Sequence, residues 1–103
     1  MTRNERRIVY SPHALDGLEE LEIYIAECDS QRRAEAVLAR IEAGIRTLSR
    51  MPRMGRAVRG IEPGMRVFAV RPWLIYYSPL PDGVHVHRVI DGRRDLSGPL
   101  PGA

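Results

Sequence analysis

His85 and His87, two residues apart, and a long series of arginines are the side chains in this sequence whose chemistry could go beyond packing. On a strand the two imidazoles would share a face, a spacing that suits metal binding. Two ligands do not make a site. Cys28 is the lone cysteine and His13 is far off in sequence, so structural or exposed histidines are expected and no metal is. None of the serines sits in a glycine-flanked nucleophile elbow, and the absence of lysine rules out a Gly-x-x-x-x-Gly-Lys phosphate loop. No cofactor is expected.

All sixteen cationic side chains are arginine. Because solvated cations are largely exchangeable, the absence of lysine fits GC-rich codon usage better than selection at each site. Arg50, Arg53, Arg56 and Arg59 recur every third residue through a stretch that Pro52, Gly55 and Gly60 make unfit for a helix. Arg66, Arg88, Arg93 and Arg94 lie in or just beyond expected strands and could converge on one face if the strand ends align. Two readings stay open: a solvated sheet edge that resists aggregation, or a pocket gripping phosphate or carboxylate bidentately. RNA cleavage would also require groups that take and return a proton, for which arginine's pKa is far too high. His85, His87, Tyr76 or Tyr77 suit that task better. Adjacent on a strand, however, Tyr76 and Tyr77 point to opposite faces, and one of them belongs to the core.

The elements that must position these groups follow from periodicity. Arg6 to Tyr10 reads as a short strand running into Ser11-Pro12, an N-cap hydroxyl followed by a first-turn proline. Leu15, Leu18, Leu21, Ile25 and Cys28 then fall at steps of three and four, with Asp16, Glu19, Glu20 and Glu27 filling the remaining circumference. Asp29-Ser30 offers a second cap. Ala34, Val37, Leu38, Ile41, Ile45 and Leu48 repeat the spacing until Met51-Pro52. Two helices of about twenty residues joined by so short a turn form an antiparallel hairpin. Beyond the loop the period becomes two: Met65 to Val70, Trp73 to Tyr77 and Val84 to Ile90 read as a meander, with Asp82-Gly83 as a turn pair.

The expected fold is α+β, in the order β-α-α-β-β-β: a helical hairpin on a largely antiparallel four-stranded sheet. At 103 residues the chain is expected to form one domain, with residues 97–103 expected as a flexible tail. MTRNERRIVY holds no apolar run suited to a signal peptide and no stretch is long enough to span a membrane, so a cytoplasmic location is expected. Charge is uneven. Ser11 to Asp29 carries six acids and no arginine, whereas Ser30 to Arg71 carries ten arginines against Glu35, Glu42 and Glu62. Such a basic region attracts an anionic partner at long range. Composition does not choose between nucleic acid and an acidic peptide.

The segments AEAVLARIEAGIRTLSRMPRMGR, PGMRVFAV, WLIYYSP and HRVIDGRRDL, in this order and spacing, resemble the ParE branch of the RelE/ParE toxin superfamily of bacterial toxin-antitoxin operons. The resemblance runs from about Ile8 to Leu96. It implies that Pro52, Gly55 and Arg56 link hairpin to sheet, with Arg56 a candidate for holding the loop through a helix C-terminal carbonyl. It further implies a non-enzymatic poison of DNA gyrase, with no catalytic residues and no direct contact to nucleic acid. A ParD-like antitoxin in a two-plus-two or larger complex would meet it, with Arg56, Arg66, Arg88, Arg93 and Arg94 as candidates for target or antitoxin binding. The alternative is a RelE-like ribosome-dependent endoribonuclease. Against it, Phe68 and Leu74 stand where strand cations would be, and the tail beyond Asp95 has no tyrosine.

Overall fold

The computed structural model describes residues 6–93. Strand β1 (Arg7–Tyr10) leads into helix α1 (Pro12–Cys28) and helix α2 (Gln31–Arg50). Strands β2 (Arg56–Ala57), β3 (Arg66–Val70), β4 (Trp73–Leu80) and β5 (Gly83–Asp91) follow. They form one sheet in the order β1-β5-β4-β3-β2, antiparallel except where β1 runs parallel to β5.

The α+β class and the helical hairpin are as the periodicity indicates, but the sheet has five strands rather than four. The fifth is β2, whose two residues pair with Val67 and Arg66 on β3. A strand that short leaves no alternation to detect. The β4–β5 turn also differs from expectation. Its corner residues are Pro81 and Asp82, and Gly83 already pairs with Arg7 and Leu80. A Cβ on Gly83 would sit 1.8 Å from the Arg7 carbonyl oxygen, so the glycine is there for the close approach of β1. Pro79 sits in β4 beyond the end of β3, where the strand has become an edge and a missing N–H is tolerated.

Ser11 caps α1 by accepting the Ala14 N–H at 3.0 Å, and its hydroxyl donates to the His87 carbonyl at 2.7 Å. One side chain thus fixes both the helix start and its seat on β5. Ser30 caps α2 through the Arg33 N–H. The inward stripe of α1 is Ala14, Leu18, Leu21 and Ile25. Leu15 and Cys28, expected to face inward, are exposed; Ala14, four residues before Leu18, takes the place expected for Leu15. From α2 the core receives Ala34, Val37, Ile41, Ile45 and Leu48, and from the sheet Trp73, Ile75, Tyr77, Val84, Val86 and Val89. A second, smaller cluster of Met65, Val67 and Tyr76 lies on the opposite sheet face, packed against Val58, Ile61, Leu74 and Ile90. Among the described residues no helix is long and apolar enough to cross a membrane.

Candidate docking surfaces

After α2 the chain runs along the sheet end, touches it as β2 and re-enters it as β3. Two side chains pin the first turn of this segment. Tyr77, fully buried, donates its hydroxyl to the Pro52 carbonyl at 2.7 Å and accepts the Gly55 N–H at 2.8 Å. Burial raises the Tyr77 pKa above its ordinary value, against the opposing pull of the Gly55 hydrogen bond and the Arg66 charge, so the hydroxyl keeps the proton it donates. Arg66 donates to the carbonyls of Arg53, at 3.3 Å, and of Gly55. A Cβ on Gly55 would come within 2.6 Å of the Tyr77 hydroxyl and 2.8 Å of the Val67 carbonyl oxygen. The loop is therefore held by Arg66 and Tyr77, whereas Arg56, the candidate for that task, lies exposed on β2.

The candidate arginines do not form one pocket. Arg66 pairs across the sheet with Tyr77, whose ring is in the helix-side core, so its side chain starts on that face. Arg88 pairs with Tyr76 and belongs to the opposite, outer face. Arg56, opposite Val67, shares the outer face with Arg88, but Val67 and Tyr76 stand between them in the row. Arg93, just past β5, pairs with Asp91 at 3.3 Å. Arg94 and the expected tail 97–103 lie outside the described residues. A bulge produces this split. The register steps from Tyr77↔Val86 to Tyr76↔Arg88 and leaves His87 as the extra residue on β5.

On the outer face a cavity of about 610 Å³ lies between the Gly60–Met65 loop, the start of α1 and β5, and Tyr76, His87 and Arg88 are among the side chains lining it. Nε2 of His87 is 2.8 Å from Ser78 Oγ, and the His85 and His87 ring centroids are 4.2 Å apart, on one face as their spacing requires. Burial and the neighbouring His85 push the His87 pKa below its ordinary value, with Glu62 pulling the other way, so the imidazole is neutral at pH 7. No group of three or more His, Cys, Asp or Glu side chains placed to hold a metal occurs among the described residues.

A different surface sits at the sheet end below the Arg66–Tyr77 clamp. Met51, Pro52, Arg53, Met54, Pro79 and Leu80 line a cleft of about 510 Å³. Met51 is 52% and Met54 39% exposed, among the most exposed large apolar side chains described. Attention to the arginines of RMPRMGR passes over these methionines, though their spacing of three among cations is itself a signal. Arg50, Arg53, Arg56 and Arg59 are all exposed, and none belongs to the two ion pairs found among the described residues, Arg7–Asp82 and Arg93–Asp91.

Residues 8–96 match the family described as the ParE toxin of the type II toxin-antitoxin system, parDE. Toxin ParE3 of Caulobacter vibrioides is 37% identical over 76 residues, which cover 74% of this chain and 76% of that protein. A solved structure from the chromosomal ParDE TA system of P. aeruginosa superposes with a TM-score of 0.70 at 14% identity, covering 84% of this chain and 95% of that one. At that identity the last likeness bears on the fold alone. Family match and sequence identity agree with the resemblance carried by the loop and strand segments: the chain belongs to the ParE toxins of type II toxin-antitoxin systems.

Proposed function

We propose that this ParE-family toxin acts in the cytoplasm by binding protein, that its target is DNA gyrase, and that a ParD-like antitoxin neutralises it. The observation that carries the non-catalytic part of this reading is how the arginines are used. Arg66 spends its guanidinium on two loop carbonyls, and Arg88 projects from the other face of the sheet. A phosphodiester gripped by one would be out of reach of the other. Stabilisation of developing charge and proton transfer have to meet at one point for RNA cleavage; Arg88 does share the outer cavity with His87 and Tyr76, but without a second of the candidate arginines. Kinship with Toxin ParE3 and likeness to a ParDE structure support the antitoxin part.

The test uses purified full-length chain in two assays. Inhibition of gyrase supercoiling with accumulation of cleaved DNA, and intact message in a translating extract, is the expected pair of results. Codon-associated cuts in translated message, abolished by Arg66→Ala or Arg94→Ala, would replace the reading with that of a ribosome-dependent endoribonuclease. Co-expression with the ParD-like protein of the same operon should yield a complex of two-plus-two or larger stoichiometry and restore growth.

A further inference from the structure

Consecutive residues of a regular strand face opposite sides of a sheet, yet His87 and Arg88 both line the outer cavity. The bulge is the cause. It brings Arg88 opposite Tyr76, while His87 keeps the face of His85, so that β5 delivers two adjacent polar side chains to one place. The first turn of α1 adds His13 to the same lining, and that turn carries no acid although six acids lie between Ser11 and Asp29. Arg88 is exposed and belongs to neither ion pair found among the described residues. It supplies a fixed positive charge, and the imidazoles supply hydrogen bonds. Ile61, Pro63, Met65 and Tyr76 make the remaining wall apolar. The volume of about 610 Å³ falls within the range of roughly 300–1,000 Å³ usual for small-molecule sites. Glu62 is the one acid in the lining. It is exposed, in neither ion pair, and bracketed by Gly60 and Gly64, whose φ angles are 83° and 84° and whose Cβ positions meet nothing within 4 Å. Two left-handed glycines in open space let the loop turn that carboxylate aside, which makes Glu62 a displaceable counter-ion.

The geometry points to a small-molecule site in the outer cavity for a phosphate monoester of mononucleotide size, its phosphate held by Arg88, His87 and His13 and its planar body laid against Ile61, Met65 and Tyr76. Other ligand chemistries answer only part of this lining. A divalent cation lacks a third ligand among the described residues. A carboxylate brings two oxygens to three donor side chains, whereas a phosphate monoester brings three. Inorganic phosphate would satisfy the donors and leave the apolar wall in water; an uncharged planar molecule would cover the wall and leave Arg88 without a counter-charge. The site shares no residue with the Arg66–Tyr77 clamp or with the methionine cleft. It stands or falls independently of gyrase as the target.

The experiment is isothermal titration calorimetry of the full-length chain at low ionic strength, with adenosine 5′-monophosphate as the probe. Saturable binding is expected, with adenosine and inorganic phosphate each weaker by about tenfold or more. Arg88→Gln should weaken the nucleotide about tenfold. Glu62→Gln should strengthen it about threefold, because the like charge in the cavity is gone. Damage to the fold would not produce that gain. Arg88 and Glu62 are both exposed, so unchanged melting temperatures of the unliganded variants should accompany these shifts, and His13→Gln gives a second loss of binding should Arg88→Gln unsettle β5. The bound nucleotide should also slow amide exchange in the Gly60–Met65 loop and leave α2 as it was. Absent saturation, or an affinity indifferent to Arg88→Gln and Glu62→Gln, would overturn the proposal. Adenosine bound as tightly as its monophosphate would remove the phosphate grip, and inorganic phosphate bound as tightly would remove the apolar wall; either result sinks the assignment. A short oligoribonucleotide held more tightly than the mononucleotide, and lost in Arg88→Gln, would replace the small-molecule site with one for an RNA strand.

Discussion

The two faces of the sheet are covered by different materials, and adjacent tyrosines report on both. Tyr77 lies on the helix side among Ile41, Ile45, Leu48 and the inward residues of β4 and β5. Tyr76 lies on the outer side, where Met65 and Val67 are the other buried members and the cover is the loop bearing Val58 and Ile61. Both rings are nearly inaccessible, at 0% and 4% exposure, yet what buries them differs in kind. Two long helices with continuous apolar stripes close the inner face; a loop with few apolar anchors closes the outer. Local opening should therefore cost far less on the outer face, since the free energy of such openings follows the apolar contacts they break. Two of the surfaces left for other molecules lie away from the helix-covered face: the histidine-lined cavity beside the Gly60–Met65 loop and the methionine cleft at the end of β4.

Isoleucine occurs on both sides, which permits a matched test. Ile41→Ala, at a fully buried position of α2, should cost about 2–5 kcal/mol in urea unfolding because the helices cannot close over the lost volume. Tyr77→Phe comes next. It removes the donor to Pro52 and leaves the buried Gly55 N–H without its acceptor, for about 1–3 kcal/mol, and limited proteolysis should then cut between Met51 and Arg56. Ile61→Ala, half-buried on the outer loop itself, should cost about 1 kcal/mol because only part of its surface is withdrawn from water. It should speed amide exchange in the Gly60–Met65 loop while sparing α2. Equal costs at Ile41 and Ile61 would break the contrast between the faces.

Much of the inner face was legible from residue spacing, and little of the outer face was. Ala34, Val37, Ile41, Ile45 and Leu48 announce their stripe because a helix repeats the same angular step for many residues. Ser11-Pro12 and Ser30 mark the starts through hydroxyl caps that act within three residues. The outer face depends on features with no such repetition. Strand β2 has two residues and owes its existence to β3. Gly83 reads as a turn residue, yet it is there because β1 passes close by. The bulge at His87 matters most for the candidate arginines. Counting by twos from Val84 and Val86 puts Arg88 on the helix side with Arg66, and a convergent pocket follows; one extra residue sends Arg88 to the other face. Nothing in VHVHRVI signals that insertion, since His87 and Arg88 are both polar and either could face solvent.

The smallest expected effect concerns that same extra residue. His87 is half-buried, bound to Ser78 and beside His85, while Glu62, His13 and Arg88 also line its cavity. Burial first and then His85 depress its pKa below the ordinary 6.5, and Glu62 opposes them. Between the depressed folded value and 6.5, the unfolded chain binds more protons at this site than the folded one, so stability rises with pH across that window. The contribution of neutral His87 is complete above pH 6.5 and is lost as acidification carries the protein down toward the folded pKa. Unfolding midpoints at about pH 7.5 and about pH 5.5 should therefore differ less in His87→Gln than in the parent. Ser78→Ala should retain most of the difference, because it deletes a hydrogen bond and leaves burial, the largest cause, in place. The loss at acid pH should appear as faster exchange on the outer face, in β5 around the bulge, before α2 responds. A parent slope that survives in His87→Gln would locate the acid sensitivity elsewhere and remove the bulge as a point where the two faces differ in pH response.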